Sequence, residues 1–372
     1  MTAMPPRFLV ESIVEDVIFF LRLLKALIAH RDSALLSPAI MPAASLFVVE
    51  SYARLSDYSL ISKDSLSEES LDLIRPARHR TKLLLSSTKD INTIVADFDQ
   101  IVEDERDAFI GLHTGWLAPL KKFIQPDLGL STYDGHVVTT THGTRFLFGA
   151  DSHEPQRLRE AARVVSAYCN QLAGAFARFA GIHADVKPFP PQDDIEIVMK
   201  DIKCESLYRR GTFGALPLEW SGTIAMILAN LNFVHHVLRR LVPKNLRTFL
   251  KIRLLYAFHA IHSLRLIQDR FMAERRLPPS VAAVLARALG TSEVRWLKKR
   301  GDLRDTLMHF QPARVTPTLS AMSFDEVLSQ LCGKREGTDL DTIADNILEH
   351  FSATLAAGFD LSAKTFWYAT VK

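Results

Sequence analysis

Residues 298–312 read Lys-Lys-Arg-Gly-Asp-Leu-Arg-Asp-Thr-Leu-Met-His-Phe-Gln-Pro, which gathers four cations, two acids and a histidine into one short stretch. Arg304 and Asp305 precede His309 by five and four residues. These residue types suit cleavage of a phosphodiester without a metal. A guanidinium offers a rigid fork of donors to phosphate oxygens. An imidazole that titrates near neutrality can take the proton of a 2′-hydroxyl or give one to a leaving 5′-oxygen. On a helix Asp305 and His309 share a face, so the carboxylate is placed to orient the ring. Arg304 and His309 stand ~140° apart around an ideal helix, so Arg304 must sit at the helix start or reach around it.

The chain carries a similar constellation about 200 residues earlier, Glu105-Arg106-Asp107-Ala-Phe-Ile-Gly-Leu-His113. Arg106 and His113, seven apart, share a helical face, whereas Asp107 and His113 are out of phase. Gly111 inside this copy weakens a helix by ~1 kcal/mol relative to alanine. Spacing alone says little. Arginine followed by histidine five to seven residues later occurs at Arg106/His113, Arg178/His183, Arg253/His259 and Arg304/His309, against about three such pairs expected by chance from the composition. Requiring a polar residue directly after the arginine leaves only the Arg106-Asp107 and Arg304-Asp305 copies. The plain alternative for each is an ion pair on a helix with a histidine near its C-terminus, where the helix dipole favours it.

The two copies resemble the HEPN superfamily, small helical bundles marked by an Arg-polar-x(3–5)-His motif. Arg304-Asp305-Thr-Leu-Met-His309 resembles the common form and Arg106-Asp107 to His113 the long-spaced form. The resemblance implies a metal-independent endoribonuclease with a composite cleft between two facing motifs. In it His309 and His113 would be acid and base, Arg304 and Arg106 would stabilise the phosphorane, and Asp305 and Asp107 would orient them. It further implies RNA as partner, no cofactor, a homodimer or an intrachain equivalent, and an antitoxin or activator protein if the chain is a toxin or phage-defence effector. HEPN-like domains also occur as inactive partners, which leaves a helical module that binds RNA, nucleotide or protein without catalysis as the alternative. Next to the motif, Lys298, Lys299 and Arg300 with Arg295 and Trp296 form a basic aromatic cluster, usually a solvated face but here suited to guide an RNA backbone and stack a base.

The elements that must carry these residues are mainly helices. Apolar residues at helical spacing predict a helix over 8–30, a second over about 43–60, and a third that starts near Ser67 or after Pro76. The first motif segment, 103–122, follows, and a helix resumes over 155–179. The second half repeats the order with helices over 222–241, 245–276 and 280–289, the second motif, a short helix from Ser323, and a last one over 339–359. Only 136–148, with β-branched and aromatic residues around His142-Gly143, reads as a hairpin. Three prolines in 187–191 mark a linker. The expected fold is all-α, with two tandem HEPN-like bundles at 1–186 and 221–372, a hairpin insertion in the first and a linker at 187–220.

Length and composition agree with that plan. A chain of 372 residues, 48% hydrophobic and 23% charged, can bury two sizeable cores. A net charge of +3 permits an acidic partner without requiring one. Cys169, Cys204 and Cys332 are far apart and odd in number, which argues against a disulfide framework or zinc site. His235-His236 and His259/His262 sit in apolar helices without acidic or cysteine partners, so they read as core histidines, not metal ligands. His142-Gly143-Thr144 faintly suggests a His-x-Thr phosphoesterase element, but no second copy with strand context follows. Acids at 11, 15 and 16 interrupt the N-terminal apolar run, and the stretch 223–238 falls short of a clean span, so a cytoplasmic protein without a membrane segment is expected.

Overall fold

A computed structural model of the chain describes residues 4–62, 64–83, 96–97, 100–102, 104, 126–148, 160, 163–171, 186–190, 195–274, 276–310, 317–333 and 337–361. The protein is mostly helical, with one small three-stranded sheet among the described residues.

Helix α1 (Arg7–Ala29) buries Phe8, Ile13, Val17, Phe20, Leu24 and Leu27, the stripe its periodicity predicts. Helix α2 (Ser33–Asp57) starts ten residues before its expected beginning and carries Pro38 and Pro42 within it. Leu36, Ile40, Met41 and Ala44 are all buried around those prolines, and this packing offsets the lost backbone bonds. Helix α3 (Glu68–Leu83) begins where Ser67 accepts a hydrogen bond from the Ser70 amide, and it passes through Pro76.

The strands differ from the expectation. Strand β1 (Leu128–Tyr133) pairs antiparallel with β2 (His136–Thr140). The turn between them is Asp134-Gly135, with φ of 48° and 77°. Positive φ at both central residues is what a two-residue hairpin with the native strand twist requires, and Asp-Gly supplies it. Residues after Thr140 form helix α4 (Thr141–Phe148), not a returning strand. The expected hairpin over 136–148 is therefore displaced upstream. Strand β3 (Val198–Ile202) then adds to the other side of β1, giving the order β2-β1-β3.

Strand β3 lies inside the expected linker, as do helix α5 (Cys204–Tyr208) and a 3-10 turn (Thr212–Ala215). Phe189, Ile195, Cys204, Tyr208 and Phe213 are buried there, so the described part of 187–220 contributes to the core.

Helix α6 (Leu218–Asn232) continues through a π-helical turn (Phe233–Leu238) into Arg239–Leu241. It is buried on nearly every side and carries the sheet: the Asn232 amide donates to Val137 O at 2.9 Å. Then follow α7 (Arg247–Ala273), α8 (Pro279–Leu289), α9 (Ser292–Lys298), α10 (Gly301–His309), α11 (Pro317–Ala321), α12 (Phe324–Leu331) and α13 (Gly337–Gly358). Helix α1 packs on α7, α11 and α12, and α2 on α10. Buried apolar side chains from Phe8 to Phe359 thus form one continuous cluster. Spans 36–57 in α2 and 218–241 in α6 are long and apolar enough to cross a membrane, but 78% and 89% of their apolar windows are buried inside the protein.

Two features tie distant parts together. Lys251 of α7 forms a buried ion pair with Asp16 of α1, whose carboxylate also accepts from Thr248 Oγ1 at 2.8 Å. At the other end, a Cβ on Gly358 would run into the Phe213 ring, and that ring is fully buried. Gly358→Ala is expected to destabilise the protein by about 1–3 kcal/mol, the usual cost of overpacking, read as a lower urea midpoint at constant slope.

Candidate functional site

Helix α9 stops at Lys298, and α10 starts at Gly301 after a break. Arg304 therefore lies in the first turns of a short helix and His309 at its end. Helix α10 terminates at Phe310, which adopts the left-handed conformation with φ 51°. That conformation is uncommon for a bulky residue and persists where surroundings hold it. Here the Phe310 ring is buried, edge-on to Phe47 of α2 at 6.3 Å and under the Lys251 ammonium at 3.8 Å. The anchored ring fixes the end of α10 against α2 and α7.

His309 consequently faces α2. Its Nδ1 lies 2.8 Å from Glu50 Oε2, and the side chains are 25% and 7% exposed respectively. The Arg54 Nε donates to the His309 carbonyl at 2.9 Å. Glu50 and Arg54, one turn apart on α2, thus hold the same residue from two sides. With Nδ1–H donated to the carboxylate, the other ring nitrogen keeps its lone pair, the tautomer a general base needs.

Asp305 does not play the orienting part its spacing suggests. Its Oδ1 accepts from Arg304 Nε at 2.9 Å and Nη2 at 2.7 Å, an ion pair about one-third exposed on both sides. The adjacent arginine outcompetes a histidine one turn away, and the role of orienting His309 passes to Glu50. Neither Glu50 nor Arg54 was singled out from the sequence. A signal existed: Glu50 is the sole charged residue from Ser33 to Ala53 in a strongly apolar helix, and a charge in such a setting asks for a partner.

Arg106, Asp107 and His113 lie outside the described residues. Of the basic cluster, Arg295 and Lys298 are exposed on α9 and Lys299 just beyond its end, while Val294 and Leu297 face the core. Arg300 and Trp296 engage each other, with the guanidinium 5.1 Å from the ring centroid, so one face of the indole is already occupied.

Beneath α10 a cavity of about 30 Å³ is lined by Asp16, Lys251, Tyr256, His259, Leu307 and Phe310. It has room for a water or two and none for a substrate. His259 borders it wholly buried, with Nε2 lacking a partner among the described residues. Burial lowers its pKa to about 3, helped by the charges of His262 and Arg304, so it is a neutral core histidine.

His142 and His236 are also structural. His142 bridges Tyr208 OH at 3.1 Å and Asp127 O at 2.8 Å, and burial lowers its pKa to about 4. His236 stacks on His136 with ring centroids 3.7 Å apart, and burial, reinforced by its histidine neighbours, takes it to about 3. Among the described residues no group of three His, Cys, Asp or Glu side chains could hold a metal ion. None of the three cysteines forms a disulfide, and all three are buried.

The fold and site together define a mostly helical protein with a part-exposed histidine held by a buried glutamate. Comparison with protein-family models, curated proteins and solved structures finds no match to this chain.

Proposed function

We propose that this chain is a metal-independent endoribonuclease whose reacting imidazole is His309. The observation that carries the reading is the 2.8 Å contact between His309 Nδ1 and the buried Glu50 carboxylate. A carboxylate in that place fixes the ring and its tautomer, the orientation a proton-transferring histidine needs. His309 Nε2 takes the 2′-hydroxyl proton, O2′ bonds to phosphorus, and the P–O5′ bond breaks. A second imidazole, that of His113, returns a proton to the departing 5′-oxygen, leaving a 2′,3′-cyclic phosphate and a 5′-hydroxyl. Arg304 and Arg106 offset the charge of the crowded phosphorane, and the two motifs form a composite site in the manner of tandem HEPN bundles. Arg295, Lys298 and Lys299 lead the RNA backbone toward it. A toxin or phage-defence role, restrained by an antitoxin or activator, is the setting this activity would suit.

The test is incubation of purified protein with mixed cellular RNA in the presence of chelator, beside His309→Ala, His113→Ala and Glu50→Gln variants. His309→Ala is expected to lose about 10²–10⁴-fold in rate, the usual worth of a positioned acid or base. Cleavage unchanged by His309→Ala, or ends other than cyclic or 3′-phosphate, removes the reading. The Arg304–Asp305 ion pair favours one second reading, a non-catalytic RNA-binding module in which that arginine is structural. Intact RNA retarded on a gel by wild-type protein and His309→Ala alike would establish it.

A further inference from the structure

Arg304 is engaged by its own neighbour through both Nε and Nη2. Arg54 is differently placed. Its Nε is anchored on the backbone carbonyl of His309 itself, which fixes the guanidinium relative to the imidazole. Its one carboxylate neighbour among the described residues is Asp57, with Nη1 3.5 Å from Oδ2 and the Asp57 side chain 65% exposed. A long, solvent-screened pair of this kind contributes little and yields readily to a better anion. Arg54 is 27% exposed and His309 25%, so both present surface to solvent at the end of α10. The ~30 Å³ cavity on the inner side of α10 is too small for a phosphate ester, whereas Arg54 and His309 both reach the surface.

We propose that Arg54 is the oxyanion-binding residue of the His309 site: it donates from its terminal nitrogens to a non-bridging phosphate oxygen while Glu50, one turn earlier, holds the imidazole. This rests on the ribonuclease reading for its substrate, but the binding claim stands apart from catalysis. No bond to Arg54 forms or breaks. A guanidinium already tied to the residue that moves the proton needs no reorganisation when charge builds on the phosphate, and such preorganised donors lower a barrier most. On α2, Glu50 then orients His309 and Arg54 meets the phosphate in addition to Arg304.

Two measurements on the full-length chain test this. In the metal-free cleavage assay Arg54→Met is expected to lower kcat by about 10- to 100-fold, the range for a lost charge-assisted hydrogen bond, with KM changed less. Arg54→Lys should recover only part of it, because an ammonium lacks the fork. Asp57→Asn, which frees the guanidinium, should not lower kcat. In parallel, inorganic phosphate is titrated while the His309 ring protons are followed by NMR. Phosphate should shift the His309 ring resonances in wild-type protein and leave them unmoved in Arg54→Met, whose thermal midpoint reports folding. Full activity of Arg54→Met beside an inactive His309→Ala overturns Arg54 and spares the nuclease. If wild-type protein cleaves no RNA, the phosphate-dependent shift decides alone: present in wild type and absent in Arg54→Met, it upholds the oxyanion site; absent in wild type, it overturns it.

Discussion

Lys251→Ala is expected to destabilise the protein by about 3–5 kcal/mol, because it strands the Asp16 carboxylate in the core. Both partners are buried, and the ammonium is their mutual compensation. Desolvation works against both charges, raising the Asp16 pKa and lowering that of Lys251. Removing one partner leaves that penalty uncompensated, whereas removing both does not. The double variant Asp16→Asn/Lys251→Met should therefore be markedly more stable than Lys251→Ala, and urea unfolding of the three proteins measures the difference. Equal destabilisation of single and double variants would show that the pair is not coupled. Lys251 also lies over Phe310, the residue that stops α10. The single variant should consequently loosen the His309–Glu50 contact as well, visible as a change in the His309 ring resonances under conditions where the protein is still folded.

Mild acid is expected to unfold the protein well above the pH where its carboxylates titrate. His142 and His259 are held near 4 and 3 by burial, below the ordinary 6.5, and His136, His235 and His236 are lowered by the same cause. A histidine with a depressed native pKa binds its proton more readily in the unfolded chain. Its stabilisation is complete above pH 6.5 and is lost progressively as pH falls below that. At pH 5 the two wholly buried rings should each cost about 2 kcal/mol, a large share of the 5–15 kcal/mol typical of a folded domain. Glu15 and Asp16, both raised by desolvation, act in the opposite sense as pH falls toward their ordinary carboxylate values, but they are two groups against five. Urea midpoints between pH 7.5 and 4.5 should fall monotonically. The slope should weaken in His142→Gln, which keeps polar atoms for Tyr208 and Asp127 but cannot take the proton. A midpoint flat to pH 4.5 would mean that these rings are solvated in the native state.

Much of the helical plan was present in the sequence. The stripe of α1, the limits of α7 and α13, and the capping Ser323 of α12 depend on neighbours within a turn or two. Local chemistry of that kind is written in order along the chain. The Asp134-Gly135 turn was equally local, but the β-branched residues after it drew the hairpin downstream to 136–148. Strand β3 was hidden for a different reason: its partner β1 lies some 70 residues away, and prolines nearby give the segment the composition of a linker.

The motif residues Arg304, Asp305 and His309 were legible as types at a spacing, and so was the acid–base chemistry they suit. Which carboxylate holds His309 was not. Spacing favours Asp305, but the side chain next to it claims that carboxylate. Glu50, 259 residues away, takes its place because Phe310 is buried between α2 and α7 and turns His309 toward α2. Sequence by itself determined most of the helices and the chemistry its side chains suit, since periodicity and side-chain chemistry are local properties. Tertiary packing alone decided which groups meet, because a contact between α2 and α10 exists only once a common core has brought the two helices together.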